Sequence, residues 1–224
     1  MRFEKSIEMP RGTRYGNNYY SVYSKKINRL VKLYSTLEYY NFLVLETSSE
    51  VKYFCPQPLK IDIIQEDKLK HAIFDVWVEY KDGRNEFQEV KYSKELIGNE
   101  PEAIRSQEQI RRQESWCKDN NVNFVIRTEK DIIQGPFHIQ NLNVIAARVR
   151  RYTPTENAYY EPRIIQELEV NKTLSVSELI MKKLLPIGNE LNHICYLYVK
   201  GTIDIDIKKR PLDSKTEVQL CQRN

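Results

Sequence analysis

No apolar run in this 224-residue chain approaches the roughly 20 residues a membrane span needs, so no membrane-spanning helix is expected. The opening Met1-Arg2-Phe3-Glu4-Lys5 is polar with no apolar segment behind it, so no secretory signal is expected. The four cysteines (Cys55, Cys117, Cys195, Cys221) stand far apart, and the three histidines (His71, His138, His193) are equally scattered. Zinc fingers and ribbons draw ligands from tight local pairs, so neither is expected here. The cysteines read as reduced thiols of a cytoplasmic protein. Internal repeats and low-complexity tracts are also missing. Charge of one sign is scarce as well: 35 Lys+Arg against 31 Asp+Glu give +4, a sum that proves no nucleic-acid partner.

What is present starts with a 41% hydrophobic content, enough for a core and enough to exclude whole-chain disorder. The length suits one large domain or two small ones. Fifteen tyrosines suit strands and half-polar surfaces, or base stacking. Charge is uneven along the chain. Residues 1–37 hold eight basic residues and two acidic ones, so this stretch is +6 and the rest −2. Residues 1–34 are therefore expected to form a basic N-terminal arm, either solvated or touching phosphates.

The pattern predicts a helix from about Ser35, then strands at 51–54, 59–64, 72–78 and 86–92, with a hairpin turn at Lys81-Asp82-Gly83-Arg84. A polar helix follows at 102–118, a strand at 123–127 and a helix at 141–150. This is a mixed α/β core, assigned to residues 35–150. A linker at Arg151-Tyr152-Thr153-Pro154-Thr155 opens a second domain, 151–224. There, helices at 162–168 and from Ser175, with Ser175 and Glu178 as a capping box, precede strand-like runs at 194–199 and 202–207 around Gly201. Helices followed by a small hairpin suggest a winged-helix module. Its Lys208-Lys209-Arg210 run suits DNA or a partner.

Asp75 stands in an apolar run, where a carboxylate packs poorly. Fourteen residues on, Glu89 and Lys91 share one face of the next strand, because side chains alternate. A hairpin brings Asp75 beside that face. Glu38, on the first helix, can lean over the sheet as a third carboxylate. Converging carboxylates repel unless a cation lies between them, and oxygen-only ligands suit Mg²⁺ or Mn²⁺.

Asp75 with Glu89-x-Lys91, after a helical glutamate, resembles the PD-(D/E)xK nuclease core. Phe74 stands where the motif name has proline. The order Ser35-Thr36-Leu37-Glu38, Val51-Lys52-Tyr53-Phe54, Gln57-Pro58, then Thr128-Glu129-Lys130-Asp131-Ile132 and Asn141-Leu142, resembles the TnsA-type transposon endonucleases from about Tyr34 to Arg150. The resemblance implies a restriction-endonuclease-like mixed-sheet core with a winged-helix-like C-terminal domain. It implies catalysis by Glu38, Asp75, Glu89 and Lys91. Glu38, Asp75, Glu89 and the Val90 carbonyl would hold Mg²⁺, with Mn²⁺ as substitute. Lys91 would position the water that displaces the 3′ oxygen and leaves a 5′ phosphate. Lys25, Lys26, Arg29, Arg105, Arg111 and Arg112 are candidate contacts to double-stranded DNA.

The resemblance also implies cleavage of the 5′ strands at transposon ends. The partners would be a TnsB-like DDE transposase and, through the C-terminal domain, a TnsC-like AAA+ regulator. The place would be the bacterial cytoplasm, at the nucleoid during transposition. A stand-alone restriction- or resolvase-like nuclease and a non-catalytic DNA-binding adaptor with a nuclease-like fold are the alternatives.

Overall fold

The computed structural model describes residues 2–7, 18–65 and 68–221. Arg11 and Arg14 of the expected basic arm lie outside the described residues. Contacts divide the chain into two units, 1–45 with 50–132 and 46–49 with 133–224. The helix expected over 141–150 therefore belongs to the second unit.

The first unit is a mixed α/β arrangement. Strands β1 (Tyr20–Ser24) and β2 (Arg29–Leu33) form an antiparallel hairpin. The helix α1 (Thr36–Thr47) follows, then β3 (Val51–Pro56), β4 (Lys60–Gln65), β5 (Lys68–Ile73), β6 (Val76–Tyr80) and β7 (Asn85–Val90). After them come α2 (Pro101–Asp119), β8 (Asn123–Arg127) and the short α3 (Glu129–Ile132). The main sheet runs β3-β6-β7-β8. Its first three strands are antiparallel, and β7 pairs with β8 in parallel. Parallel neighbours need a long crossover, and α2 supplies it. This mixed sheet is consistent with a restriction-endonuclease-like core. Phe74, Trp77 and Phe87 fill the interior beside it, with Phe74 stacked on Phe87 at 4.3 Å between ring centroids.

One expectation is corrected here. The expected single strand over 72–78 is two strands. Ile73 pairs with Lys60 in the separate β4–β5 hairpin, and Val76 pairs with Pro56 in the main sheet. The partner chain breaks at Gln57-Pro58, where Gln57 takes a left-handed φ of 42° and Pro58 has no N–H to donate. One apolar run is thus shared between two sheets, and Asp75 sits at the step. Within the expected arm, residues 20–33 form a hairpin. Phe3 packs edge-on against Trp77, and Tyr20 stacks on Tyr39.

The second unit contains α4 (His138–Arg151), α5 (Tyr160–Asn171), β9 (Thr173–Ser175), α6 (Val176–Met181), α7 (Glu190–Lys200), β10 (Ile203–Ile205) and β11 (Glu217–Leu220). Its antiparallel sheet runs β10-β11-β9. The strand-like run 194–199 is helix, which corrects the expected hairpin around Gly201. Ile194 and Leu197 fall three residues apart and are both fully buried, a helical repeat hidden by the β-favouring Tyr and Val between and after them. Gly201 ends that helix in a left-handed conformation, φ 84°, as C-terminal glycines do. Ile203–Ile205 then pairs with Glu217–Leu220. The capping box at Ser175 and Glu178 is formed. Among the described residues no helix is long and apolar enough to cross a membrane.

Candidate active site

The break at Gln57-Pro58 and the step at Asp75 place a carboxylate against the end of β7. Asp75 is 6% exposed, and its Oδ2 accepts the Val90 N–H at 2.7 Å. A side chain that replaces a ladder hydrogen bond explains why a charged residue is retained in an apolar run. The Gln57 N–H donates to the Asp75 carbonyl at 2.9 Å, which fixes the same step from the other side.

Glu89 is wholly buried on β7. Three donors converge on it. Gln109 Nε2 reaches Oε1 at 2.7 Å, Gln113 Nε2 reaches Oε2 at 2.7 Å, and Lys91 Nζ lies 2.9 Å from Oε1. Gln109 and Gln113 are one turn apart on α2, so one helical face serves the carboxylate. Even so, burial first and the Asp75 charge second push the Glu89 carboxyl up to about 7, against the pull of Lys91 and Gln113. The two carboxylates therefore feel each other through the protein, and a cation near them would relieve the repulsion.

Glu38 is 4% exposed in the first turn of α1. Its Oε2 accepts the Tyr34 N–H at 3.1 Å and lies 3.5 Å from Gln57 Nε2. Ser35 Oγ accepts the Glu38 N–H at 3.1 Å, so the Ser-x-x-Glu element caps the helix as well as placing the carboxylate. Glu38, Asp75, Asn41 and Val90 line one small recess of about 20 Å³, room for roughly one water or ion. Among the described residues, no three His, Cys, Asp or Glu side chains already gather as a metal-ligand cluster. The donor chemistry still fits a hard divalent ion: the candidate ligands are all oxygens, and Glu89 carries a carboxylate charge that its surroundings disfavour.

The basic candidates are placed less uniformly. Lys25 is exposed at the β1–β2 turn, whereas Lys26 Nζ donates to the Val51 carbonyl at 2.9 Å. Arg29 donates to the Glu4 carbonyl, so both Lys26 and Arg29 hold the chain's own backbone. On α2, Arg105 and Arg111 are exposed, with Arg105 Nε on the Pro101 carbonyl at 3.1 Å. Arg112 lies 3.7 Å from Glu108 with its side chain only 15% exposed.

Sequence reasoning missed Gln57, Gln109 and Gln113 as site residues. The signals were there: Gln57 in the Gln-Pro dipeptide, and two glutamines at helical spacing on an otherwise charged helix. The remaining motif residues also acquire physical roles. Thr128 donates through N–H and Oγ1 to Asp131 at 2.8 and 2.7 Å, starting α3. Glu129 accepts the Ser93 N–H at 2.7 Å, which ties down the turn just after Lys91, and Ile132 is fully buried.

No curated protein is matched by this chain. Residues 48–129 match the model of the TnsA-like endonuclease N-terminal domain, a span that includes Asp75, Glu89, Lys91 and the two α2 glutamines. The order of elements read from the sequence and the match over these residues agree: the segment 48–129 is similar to the TnsA-like endonuclease N-terminal domain.

Proposed function

We propose that the chain is the metal-dependent endonuclease subunit of a heteromeric cut-and-paste transposase, cutting the 5′ strands at transposon ends in double-stranded DNA. The observation that carries this reading is the buried pair of carboxylates Asp75 and Glu89, with Lys91 Nζ 2.9 Å from Glu89, inside a segment similar to TnsA-like endonucleases. Asp75, Glu89, Glu38 and the Val90 carbonyl would hold Mg²⁺ or Mn²⁺. The ion would lower the pKa of bound water and offset phosphate charge. The protein's own share is placement. Gln109 and Gln113 orient Glu89, the Val90 N–H orients Asp75, and Tyr34 N–H and Gln57 orient Glu38. Lys91 positions the attacking water and steadies charge on the phosphate. Water attacks phosphorus, the bond to the 3′ oxygen breaks, and a 5′ phosphate and a 3′ hydroxyl result.

The second unit supports a winged-helix-like reading. From α5 onward its order is helix, strand, helix, helix, strand, strand, with the last strand between the other two. A TnsC-like AAA+ regulator is proposed to dock there, while a TnsB-like transposase cuts the other strands. Met181 and Ile187, 73% and 94% exposed, are the kind of uncovered apolar residues a protein partner buries. In the bacterial cytoplasm this assembly would work on the nucleoid.

The test is a strand-specific cleavage assay on end-labelled transposon-end DNA, with the partner proteins and Mg²⁺ or Mn²⁺. Asp75→Ala should abolish 5′-strand cuts and leave 3′-strand cuts by the partner in place. Unchanged 5′ cleavage by that variant would sink the assignment. Double-strand cuts by the purified chain alone would favour a stand-alone nuclease.

A further inference from the structure

The 206–216 loop between β10 and β11 contains four basic residues against two acidic ones, within a segment from Arg151 onward that is otherwise nearly balanced. Its backbone is held at several points. Asn141, 1% exposed on α4, donates Nδ2 to the Ile207 and Arg210 carbonyls at 3.0 and 2.6 Å. The same side chain accepts the Leu212 N–H at 3.1 Å. The Phe137 N–H donates to the Lys208 carbonyl at 3.1 Å. Gly135 lies so close that a Cβ there would sit 2.7 Å from the Lys208 carbonyl oxygen. All these residues belong to the second unit.

The loop's carboxylates are turned onto its own backbone. Asp206 Oδ1 accepts the Lys208 and Lys209 N–H groups at 2.8 and 3.2 Å, and Asp213 Oδ1 accepts the Lys215 N–H at 2.7 Å. No acidic side chain pairs with Lys208, Lys209, Arg210 or Lys215 among the described residues, and all four are exposed. Lys209, Arg210 and Lys215 line a cavity of about 370 Å³ together with Asp206, Asp213 and Glu217.

We infer that this latched turn is a preformed contact for the phosphodiester backbone of duplex DNA, with Asn141 and Gly135 as its positioning residues. Phosphate recognition needs only cations and N–H groups at fixed places, whereas a protein interface needs an apolar centre. The turn offers no exposed apolar side chain but Pro211; Ile207 is buried and Leu212 half-buried. Holding the backbone removes the ordering cost that a mobile basic loop incurs on binding. The inference extends the DNA reading of the first unit, but it is read by binding alone, so a chain that fails to cut DNA still tests it.

The experiment is fluorescence anisotropy of the full chain on a labelled 30-base-pair duplex of arbitrary sequence, in EDTA, across a salt series. The triple variant Lys208→Ala, Lys209→Ala, Arg210→Ala, all exposed and so expected to fold, should bind at least about 10-fold more weakly at 0.1 M salt. Its slope of log affinity against log salt should be shallower by about 3, about one per phosphate contact. Gly135→Ala keeps every charge and should also weaken binding, because it displaces the turn. Wild-type affinity and slope in the triple variant would overturn the site. Wild-type affinity in Gly135→Ala alone, with its fold checked by circular dichroism, would overturn the preformed latch. Loss of binding to a labelled polyglutamate peptide with DNA binding intact would assign the turn to an acidic protein instead.

Discussion

At the residue scale, Glu89 is the group whose environment and chemistry conflict most. Its folded-state pKa of about 7 lies above the ordinary 4.5, so the folded chain holds an extra proton between those values. That stability is fully present below pH 4.5 and is lost as pH rises through 7. Glu89→Gln should abolish this dependence. The melting temperature of the variant relative to wild type should shift in the variant's favour between pH 5 and pH 8, as followed by scanning fluorimetry. A constant difference would show that Glu89 has no raised pKa. At pH 8, Mg²⁺ should raise the wild-type melting temperature more than the variant's. Gln113 is fully buried and donates to Glu89 Oε2 and, at 3.2 Å, to the Ile73 carbonyl. Gln113→Met keeps bulk but strands two buried acceptors, so a cost of about 1–3 kcal/mol is expected from urea unfolding. Without the Gln113 donor, the charged form of Glu89 loses support, so cleavage should need a higher pH.

At the element scale, short segments depend on their ends. The six-residue α6 starts with a reciprocal cap: Ser175 Oγ accepts the Glu178 N–H at 3.2 Å, and Glu178 Oε2 accepts the Ser175 N–H at 2.7 Å. Ser175→Ala should cost about 1 kcal/mol in chemical denaturation. A change within error would mean that α6 is held by packing alone. The same cap was legible in the sequence because its two residues are three apart and act locally. The polar helix α2 and strand β8 were legible too, from periodicity and length. The helix α7 was not, because Tyr196, Tyr198 and Val199 favour strands and only the burial of Ile194 and Leu197 against the second unit's core selects the helix.

At the scale of the whole molecule, the two units carry opposite pH liabilities. In the second unit His193 is 1% exposed and hydrogen-bonded with the Tyr152 hydroxyl. Burial lowers its pKa to about 4 from 6.5. The folded state therefore binds fewer protons, and stability present above pH 6.5 is lost as pH falls towards 4. Glu89 in the first unit acts in the reverse direction. Hydrogen exchange, corrected for intrinsic rates, should show the second unit losing protection from pH 7 to pH 5. The first unit should lose protection from pH 6 to pH 8. Parallel loss in both units at either end would contradict the assignment of the two groups.

The sequence by itself determined the local and the charged. It gave away the starts of α1, α2 and α6, the α2–β8 order, the basic bias of residues 1–37 and the candidate carboxylates, because each is a pattern of neighbours or a charge out of place. Tertiary structure decided what depends on distant partners. It divided the apolar run 72–78 between two sheets at Asp75, since strand pairing is set by the break at Gln57-Pro58, far away in sequence. It brought Gln109 and Gln113 onto Glu89 across 20 and 24 residues. It turned Lys26 and Arg29 onto the chain's own carbonyls. Asn141 shows the limit most plainly: its place in an Asn-Leu pair is visible in the sequence. Its three hydrogen bonds to a loop some 70 residues on depend on the fold bringing a buried side-chain amide against backbone groups that need partners.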